Sequence, residues 1–329
     1  MARRVTIKSI ADDLGVSHMT VSRALSGHPS VEKQKREAIR KRAKELGYVR
    51  SAAARAMRGD TSPIIGLLVP NITNDFYARF SNTLAAACSQ QDLQLIIHLT
   101  KDDPAAEREA VMRLQEIQAR AIVTVPAPGT ENDALFADLP LEVVQLIRYR
   151  DGDEGSPCIL VDDFDAIRHA VMHLHKKGHR AIAYIGAPET TSSGRARLAA
   201  FKAGVTATRL TLNLDLMFTD APSAENGLRI TSHIISGTEA TALVCGGFEI
   251  SSGAIRAAME QNALNSRLEI VGYGDPDFYA WIAGGVTTVS VPVDELAHAA
   301  FDIIAGASAG ERKTASKALK AQLLVRDGA

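Results

Sequence analysis

The sequence has few cysteines and no long hydrophobic run. Its three cysteines, Cys88, Cys158 and Cys245, are scattered without a C-x-x-C spacing. This scarcity argues against a disulfide framework or a zinc ribbon and fits a reducing cytoplasm. No run of about 18 apolar residues occurs, and no apolar signal segment follows Met1. We therefore expect a cytoplasmic protein that does not span a membrane.

Motifs of catalytic and metal sites are also missing. No G-x-G-x-x-G follows the first apolar run, which continues into Pro70 and Asn71, and no G-x-x-x-x-G-K-[ST] occurs. His169 and His173 have the i, i+4 spacing of zinc ligands, but neither a His-Glu-x-x-His motif nor a nearby cysteine completes a site. We predict no catalytic residue, no bound metal and no cofactor.

The formal net charge of −1 conceals a division along the chain. Residues 1–60 contain 14 Lys and Arg against 6 Asp and Glu, whereas the other 269 residues contain 23 against 32. A basic N-terminal segment on an acidic body indicates a polyanionic partner for that segment. The alternative is a basic face that is exposed to solvent and has no such partner. The pattern of apolar residues has to decide between the two interpretations.

That pattern predicts three short helices. Thr6 can cap a first helix with Ile7, Ile10, Ala11 and Leu14 on one face, and Gly15 ends it. Ser17 can cap a second helix after a very short turn, and Ser30 can cap a third, strongly basic one. The close succession of the first two helices is typical of a helix-turn-helix, whose second helix enters the major groove of double-stranded DNA.

The second helix supplies the candidate DNA contacts. Arg23 can form two hydrogen bonds to guanine, His18 can donate or accept, and Met19 can pack on a thymine methyl group. Ser17 and Thr20 suit phosphate contacts. Thr6 and Ser22 complete the set of candidate DNA-binding residues in this segment.

Several segments closely resemble the lactose/galactose repressor family. They are VTIKSIA (5–11), GVSHMTVSRAL (15–25), ELGY (45–48) and SAAARAMR (51–58). The last is similar to the family's hinge helix, which is too short to be stable alone in water. The resemblance implies that Ala54 and Met57 contact the minor groove and that Met57 inserts between base pairs.

Beyond residue 61 the pattern changes to alternating strands and helices. Predicted strands cover 64–69, 93–99, 121–125, 143–147, 181–185, 242–245 and 268–271, and predicted helices include 75–90, 104–118, 164–177 and 195–208. Such alternation predicts parallel sheets with ligands at the carboxyl ends of the strands.

The predicted fold class is therefore α/β. It has an N-terminal three-helix helix-turn-helix head and a hinge helix, followed by two doubly wound parallel-sheet subdomains. The boundaries are 1–50 for the DNA-binding domain, 51–61 for the hinge and 62–329 for the body. The resemblance to periplasmic sugar-binding proteins divides the body into an N-subdomain (about 62–161 plus 292–321) and a C-subdomain (about 162–291 plus 322–329), with a cleft between them.

The resemblance also assigns an effector site. Phe76 and Tyr77 would stack on the ligand, Arg148 and Arg197 would hold its oxygens, and Asp275 would accept its hydroxyl donors. Two positions depart from the family pattern: Asp75 replaces a common proline, and Phe248 stands where most members have an aspartate. Similarity to the gluconate-operon repressor branch suggests a sugar acid, and Trp281 is expected to report occupancy of the cleft.

The sequence thus predicts a transcriptional repressor that binds operator DNA as a homodimer and a small sugar, sugar acid or sugar phosphate as effector. No leucine heptads follow the segment at 322–326, which favours a dimer over a tetramer. Two other classes stay open. A periplasmic-type sugar-binding protein would share the body but has no use for the head, and a sugar-modifying enzyme would need catalytic motifs.

Overall fold

The chain divides into two units, Met1–Ser62 and Pro63–Ala329. The computed structural model describes residues 5–25, 28–48, 62–129, 135–136, 139–153, 155–308 and 316–326. The first unit contains the helices α1 (Ile7–Leu14), α2 (His18–Leu25) and α3 (Lys33–Glu45).

The first two helices begin where the sequence predicts, and α1 also ends at the predicted residue. Thr6 caps α1 by accepting from the Ser9 backbone N–H at 3.2 Å, and Gly15 closes it in the left-handed conformation. Ser17 caps α2 by accepting from the Thr20 backbone N–H at 3.1 Å. The predicted cap of α3 is wrong: the helix follows Glu32, because the Ser30 hydroxyl is bound to His28 Nδ1 at 2.8 Å.

A small apolar core joins the three helices. Ile10, Val21, Ala24 and Ile39 are almost completely buried and belong to one cluster. On the surface, Arg42 of α3 forms two hydrogen bonds to Asp13 of α1, with donor–acceptor distances of 2.5 and 3.1 Å. The Arg42 guanidinium beside Asp13 lowers the pKa of that carboxyl. The core therefore fixes the angle between α1 and α2, and the ion pair ties the third helix to the first.

The second unit contains two six-stranded sheets. The first has the order β11-β5-β4-β3-β1-β2 and is parallel throughout. Its strands are β1 (Ile64–Val69), β2 (Gln94–Leu99), β3 (Ala121–Thr124), β4 (Glu142–Leu146), β5 (Cys158–Asp162) and β11 (Lys317–Lys320). The helices α4 (Asp75–Gln90), α5 (Pro104–Glu116) and α10 (Val293–Ser308) pack on this sheet.

The second sheet has the order β12-β10-β9-β8-β6-β7, with only β12 antiparallel to its neighbour among the described strands. Its strands are β6 (Ile182–Gly186), β7 (Met217–Thr219), β8 (Ala242–Cys245), β9 (Glu269–Tyr273), β10 (Thr288–Ser290) and β12 (Gln322–Leu324). The helices with this sheet are α6 (Phe164–Lys176), α7 (Ser192–Ala207), α8 (Ala224–Gly237) and α9 (Phe248–Glu260).

The chain passes between the two sheets three times. It leaves the first sheet after β5, returns after β10, and crosses again at Ala321 between β11 and β12. At two of these crossings the strands are bonded together, because the Ala321 N–H donates to the Asp162 carbonyl at 2.9 Å. The backbone connects the two sheets only at these crossings, which is the arrangement of a hinge.

The observed architecture confirms the predicted fold class of a helix-turn-helix head and two parallel-sheet subdomains. The predicted hinge helix at 51–61 lies outside the described residues. The seven predicted strands agree with β1–β4, β6, β8 and β9 to within two residues. The strands β5, β7, β10, β11 and β12 and the helices α8, α9 and α10 were not among the predicted elements. In the part of the chain that the structure describes, no helix is both long and apolar enough to cross a membrane.

Two glycines allow α8 and α9 to pack in direct backbone contact. A Cβ added to Gly253 of α9 would overlap the Ala224 carbonyl oxygen and lie 2.7 Å from the Leu228 backbone nitrogen. A Cβ added to Gly227 of α8 would overlap the Ile250 carbonyl. Because backbone atoms cannot rotate away, both positions require glycine. This packing fixes α9 against α8.

We predict that Gly253→Ala destabilises the protein by about 1–3 kcal/mol, since the added methyl group must push two helices apart. Urea unfolding followed by circular dichroism measures this. Gly237→Ala at the end of α8 is the control, because its Cβ would meet only the movable His233 ring at 3.1 Å. Equal stabilities of the two variants would contradict the close-packing account.

Candidate functional site

A cavity of about 360 Å³ lies between the two sheets of the second unit. Its walls come from the carboxyl ends of strands in both sheets, including Val125 after β3, Gly246 after β8 and Tyr273 at the end of β9. The first turns of α4, α7 and α9 face it as well. Ligand sites of open α/β sheets form at such strand ends, so this cavity is the candidate effector site.

One wall of the cavity is aromatic. Phe248 lies between Phe76 and Tyr273, with ring centroids 5.2 and 5.4 Å apart. Phe76 itself is 1% exposed, so it supports the wall more than it covers a ligand. Gly274 has a φ of +85°, and a Cβ there would overlap the Phe248 ring. The glycine therefore makes room for the aromatic side chain at position 248, where the family resemblance predicts an aspartate.

Arg148 is held by protein groups on the opposite side. Its Nε donates to the Pro126 carbonyl at 2.6 Å, and its guanidinium forms an ion pair with Asp102. The preceding Ile147 has a φ of +66°, which is unusual for a β-branched residue, and Asp102 has a φ of +57°. Such strain is typical of functional sites and here orients both members of the ion pair.

Arg197 is 8% exposed and has three partners in the second half of the site. Its Nε donates to Asp163 Oδ2 at 2.7 Å and its Nη1 donates to the Gly246 carbonyl at 3.1 Å. The guanidinium lies 4.2 Å from the centre of the Tyr273 ring, whose hydroxyl also donates to Asp163 at 2.5 Å. Burial raises the pKa of the Tyr273 hydroxyl, which stays protonated and can donate.

Several polar residues of the cavity were not found by sequence reasoning. Asn71, Lys101, Asp102 and Glu249 line it, and Asn71 Nδ2 donates to Glu249 Oε2 at 3.3 Å. Burial raises the pKa of the Glu249 carboxyl, while hydrogen bonds from Asn71 and Asn74 oppose that shift. The one available signal was position: Glu249 directly follows Phe248, where the family pattern is already broken.

Phe76, Tyr77, Arg148, Arg197 and Phe248 are brought together at the cavity, but two predicted effector residues are not. Asp75 is exposed at the first position of α4 and does not line the cavity. Asp275 forms an ion pair with Arg326 at 2.8 Å outside the cavity. Trp281, the expected fluorescence reporter, is 76% exposed and does not line the cavity.

The head presents a polar face of α2. His18, Met19 and Arg23 are exposed, Met19 by 56% of its surface, while Thr20 and Ser22 are half-buried. Met19 and Arg23 lie one helical turn apart and so share a face. The side-chain oxygens of Thr6 and Ser17 are engaged as helix caps. Ala54 and Met57 lie outside the described residues.

Among the four histidines at 169–179, His175 and His179 form hydrogen bonds to other side chains of the protein. His179 bonds Thr241 and Glu269, each at 2.9 Å, and His175 bonds Arg180. Among the described residues, no cluster of three or more His, Cys, Asp or Glu side chains could hold a metal ion.

Comparison with known families decides the class of protein. Residues 62–305 match the family described as periplasmic binding proteins and sugar binding domain of LacI family, and residues 6–51 match the bacterial regulatory proteins of the lacI family. The chain belongs to the LacI family. It is a DNA-binding transcriptional repressor with an effector-binding domain.

Relatives extend over nearly the full length. The sucrose operon repressor of Klebsiella pneumoniae is 26% identical over 307 residues, covering 92% of each chain. The transcriptional regulator PtxS of Pseudomonas plecoglossicida is 28% identical over 333 residues, covering 98% of this chain and 95% of the relative. A crystal structure of the lac repressor dimer, bound to operator and an anti-inducer, superimposes with a TM-score of 0.83 at 22% identity over 99% of both chains.

These LacI-family relatives are regulators rather than enzymes, which removes the sugar-modifying enzyme as an interpretation. The head and the body of this chain both match, whereas a periplasmic binding protein would match in the body alone.

We predict that Arg197→Ala lowers the free energy of unfolding by about 3–5 kcal/mol, because it leaves the Asp163 carboxylate buried without its cation. Arg195→Ala on the same helix is the control, since its ion pair with Asp151 is exposed and contributes at most about 1 kcal/mol. Urea unfolding of the three proteins measures both effects. A small loss for Arg197→Ala would mean that the buried pair does not stabilise this subdomain.

Proposed function

We propose that the protein works as a cytoplasmic homodimer whose two heads bind a pseudo-palindromic operator and whose cavity binds a small polyhydroxylated metabolite. The observation that carries this proposal is the combination, in one chain, of an exposed polar α2 with a cavity enclosed by two sheets that join through only three crossings. The lac repressor, similar in fold over the whole chain, is a dimer bound to operator.

In the head, α2 reads the bases. Arg23 forms the bidentate contact to guanine, and His18 and Met19 contact neighbouring base edges in the major groove. Ser22 and Thr20 lie beside this face and suit phosphates. Thr6 and Ser17 act mainly by capping their helices, whose first backbone N–H groups then point toward the DNA backbone. Ala54 and Met57 complete the interface in the minor groove.

In the body, the effector binds between the sheets and favours one of two subunit arrangements. Closure around a ligand changes the relative position of the two subdomains and hence of the heads and hinges in the dimer. This coupling requires that the ligand binds one of the two states more tightly than the other. The ligand weakens operator binding if it prefers the state with low operator affinity, and strengthens it if it prefers the other. Similarity to the gluconate-operon repressors stays a hypothesis. The two cavity arginines do not support the sugar-acid effector that this similarity suggests, because Arg148 and Arg197 are each paired with a carboxylate of the protein.

We predict that Arg23→Ala weakens binding to the selected operator by about 1–3 kcal/mol and relaxes the preference at one base pair. The operator is first selected from random duplexes with the full-length protein, and affinities are then measured by fluorescence anisotropy. Arg40→Ala removes the same charge from the exposed face of α3 and serves as the control. A loss that is equal on operator and random DNA would reduce Arg23 to a phosphate contact.

We predict that Ser193→Trp abolishes the metabolite response and keeps operator affinity, because Ser193 lines the cavity and the indole would occupy it. Ala196→Trp on the exposed side of the same helix is the control. Operator affinity is titrated with neutral sugars, aldonates, uronates and sugar phosphates. If a metabolite that acts on the wild type acts equally on Ser193→Trp, the effector binds elsewhere.

A further inference from the structure

The residue that accepts hydrogen bonds from hydroxyl groups of the effector cannot be the one expected from the resemblance. The residue assigned by resemblance, Asp275, is bound to Arg326 and does not line the cavity. Asp102 and Asp163 are each paired with an arginine. Among the described residues that line the cavity, the remaining carboxylate is that of Glu249, at the second position of α9.

The environment of Glu249 is arranged by the loop after β1. Asn71 Oδ1 accepts hydrogen bonds from the Asn74 N–H at 2.9 Å and from both the N–H and the hydroxyl of Thr73 at 3.1 Å. The amide oxygen of Asn71 is therefore occupied, and its NH₂ group points to Glu249 at 3.3 Å. A carboxylate held by a neutral amide keeps further acceptor sites for a ligand.

Charge distinguishes Glu249 from the other acids. Among the described residues, no Lys, Arg or His nitrogen lies within ion-pair distance of its carboxylate, whereas each cavity arginine already has a carboxylate partner. The nearby charged side chain that acts on it most is Asp102, which has the same sign. Lys101 lines the cavity too, but it is exposed at the rim.

We propose that Glu249 is a specificity-determining residue that accepts hydrogen bonds from hydroxyl groups of the effector and excludes carboxylates and phosphates from this end of the cavity. The inference rests on the proposed function, since it takes the cavity as the effector site. An ionised carboxylate accepts but cannot donate, so an anionic oxygen placed beside it would meet repulsion without a hydrogen bond. The effector is then a neutral sugar, bound with its apolar face toward Phe248.

Matched pairs of sugars test this class. D-glucose and D-glucuronate, and D-galactose and D-galacturonate, differ in a terminal hydroxymethyl or carboxylate group at equal stereochemistry. D-ribose and sucrose extend the neutral set. Titration calorimetry with the full-length protein at pH 7.5 should show binding of at least one neutral sugar, with its uronate partner weaker by about tenfold or more where one exists.

Variants assign the discrimination to the side chain. Glu249→Gln should bring the affinities of the neutral sugar and its uronate to within about threefold, because the negative charge is gone. Glu249→Asp keeps the charge and should keep the discrimination while weakening the neutral sugar. Glu225→Gln is the control: it removes a glutamate from the same position of α8, which does not line the cavity.

The outcomes separate the two proposals. Equal binding of both members of a pair by the wild type, no binding of any neutral sugar, or unchanged discrimination in Glu249→Gln would overturn the role of Glu249. If Glu249→Gln does not give a cooperative melting curve, the Glu249→Asp variant decides: lost discrimination in it also overturns the role. Operator binding that responds to anionic metabolites alone would leave the repressor function standing and refute the neutral effector.

Discussion

The buried ion pair between Arg197 and Asp163 is the interaction on which the effector-binding subdomain depends. Asp163 is the first residue after the chain leaves β5, and Arg197 lies in the second turn of α7. The Gly246 carbonyl and the Tyr273 ring complete the guanidinium's surroundings, so the ends of β8 and β9 are joined to the start of α6. Desolvation makes such a pair costly unless every partner is present. Geometry at the cavity is therefore coupled to the stability of this half of the body.

The same arrangement explains how a ligand could be sensed. The cavity is built at the strand ends, close to the crossings where Ala321 bonds to Asp162. A ligand that touches both sheets changes the balance between open and closed positions with little rearrangement inside either sheet. Regulation of the heads then requires only that this balance differs between the bound and free states. The strained Ile147 and Asp102 lie on one side of this gap and Glu249 on the other.

How far the sequence could predict the molecule depends on the range of the interactions. The helices of the head follow from local caps and apolar spacing, and only the α3 cap fails, because His28 takes the Ser30 hydroxyl instead. The parallel sheets of the body follow equally well from the alternation of predicted strands and helices. The ion pair of Asp275 could not be predicted, since its partner Arg326 is 51 positions away in the sequence. The sequence also could not show that Arg148 and Arg197 already have partners. Asp102 and Asp163 are distant from them in the sequence and come close only in the folded chain.

Phe248 determines the character of one wall of the binding site. An aromatic ring at this position fits only because Gly274 lacks a Cβ and because Phe76 and Tyr273 offer ring faces and edges. The aspartate that the family resemblance predicts at this position is therefore not available as an acceptor. On the first turn of a helix the neighbouring side chain points about 100° away, yet Glu249 still reaches the lining because α9 begins at the cavity edge. The apolar wall and the displaced carboxylate are thus two consequences of the same local sequence.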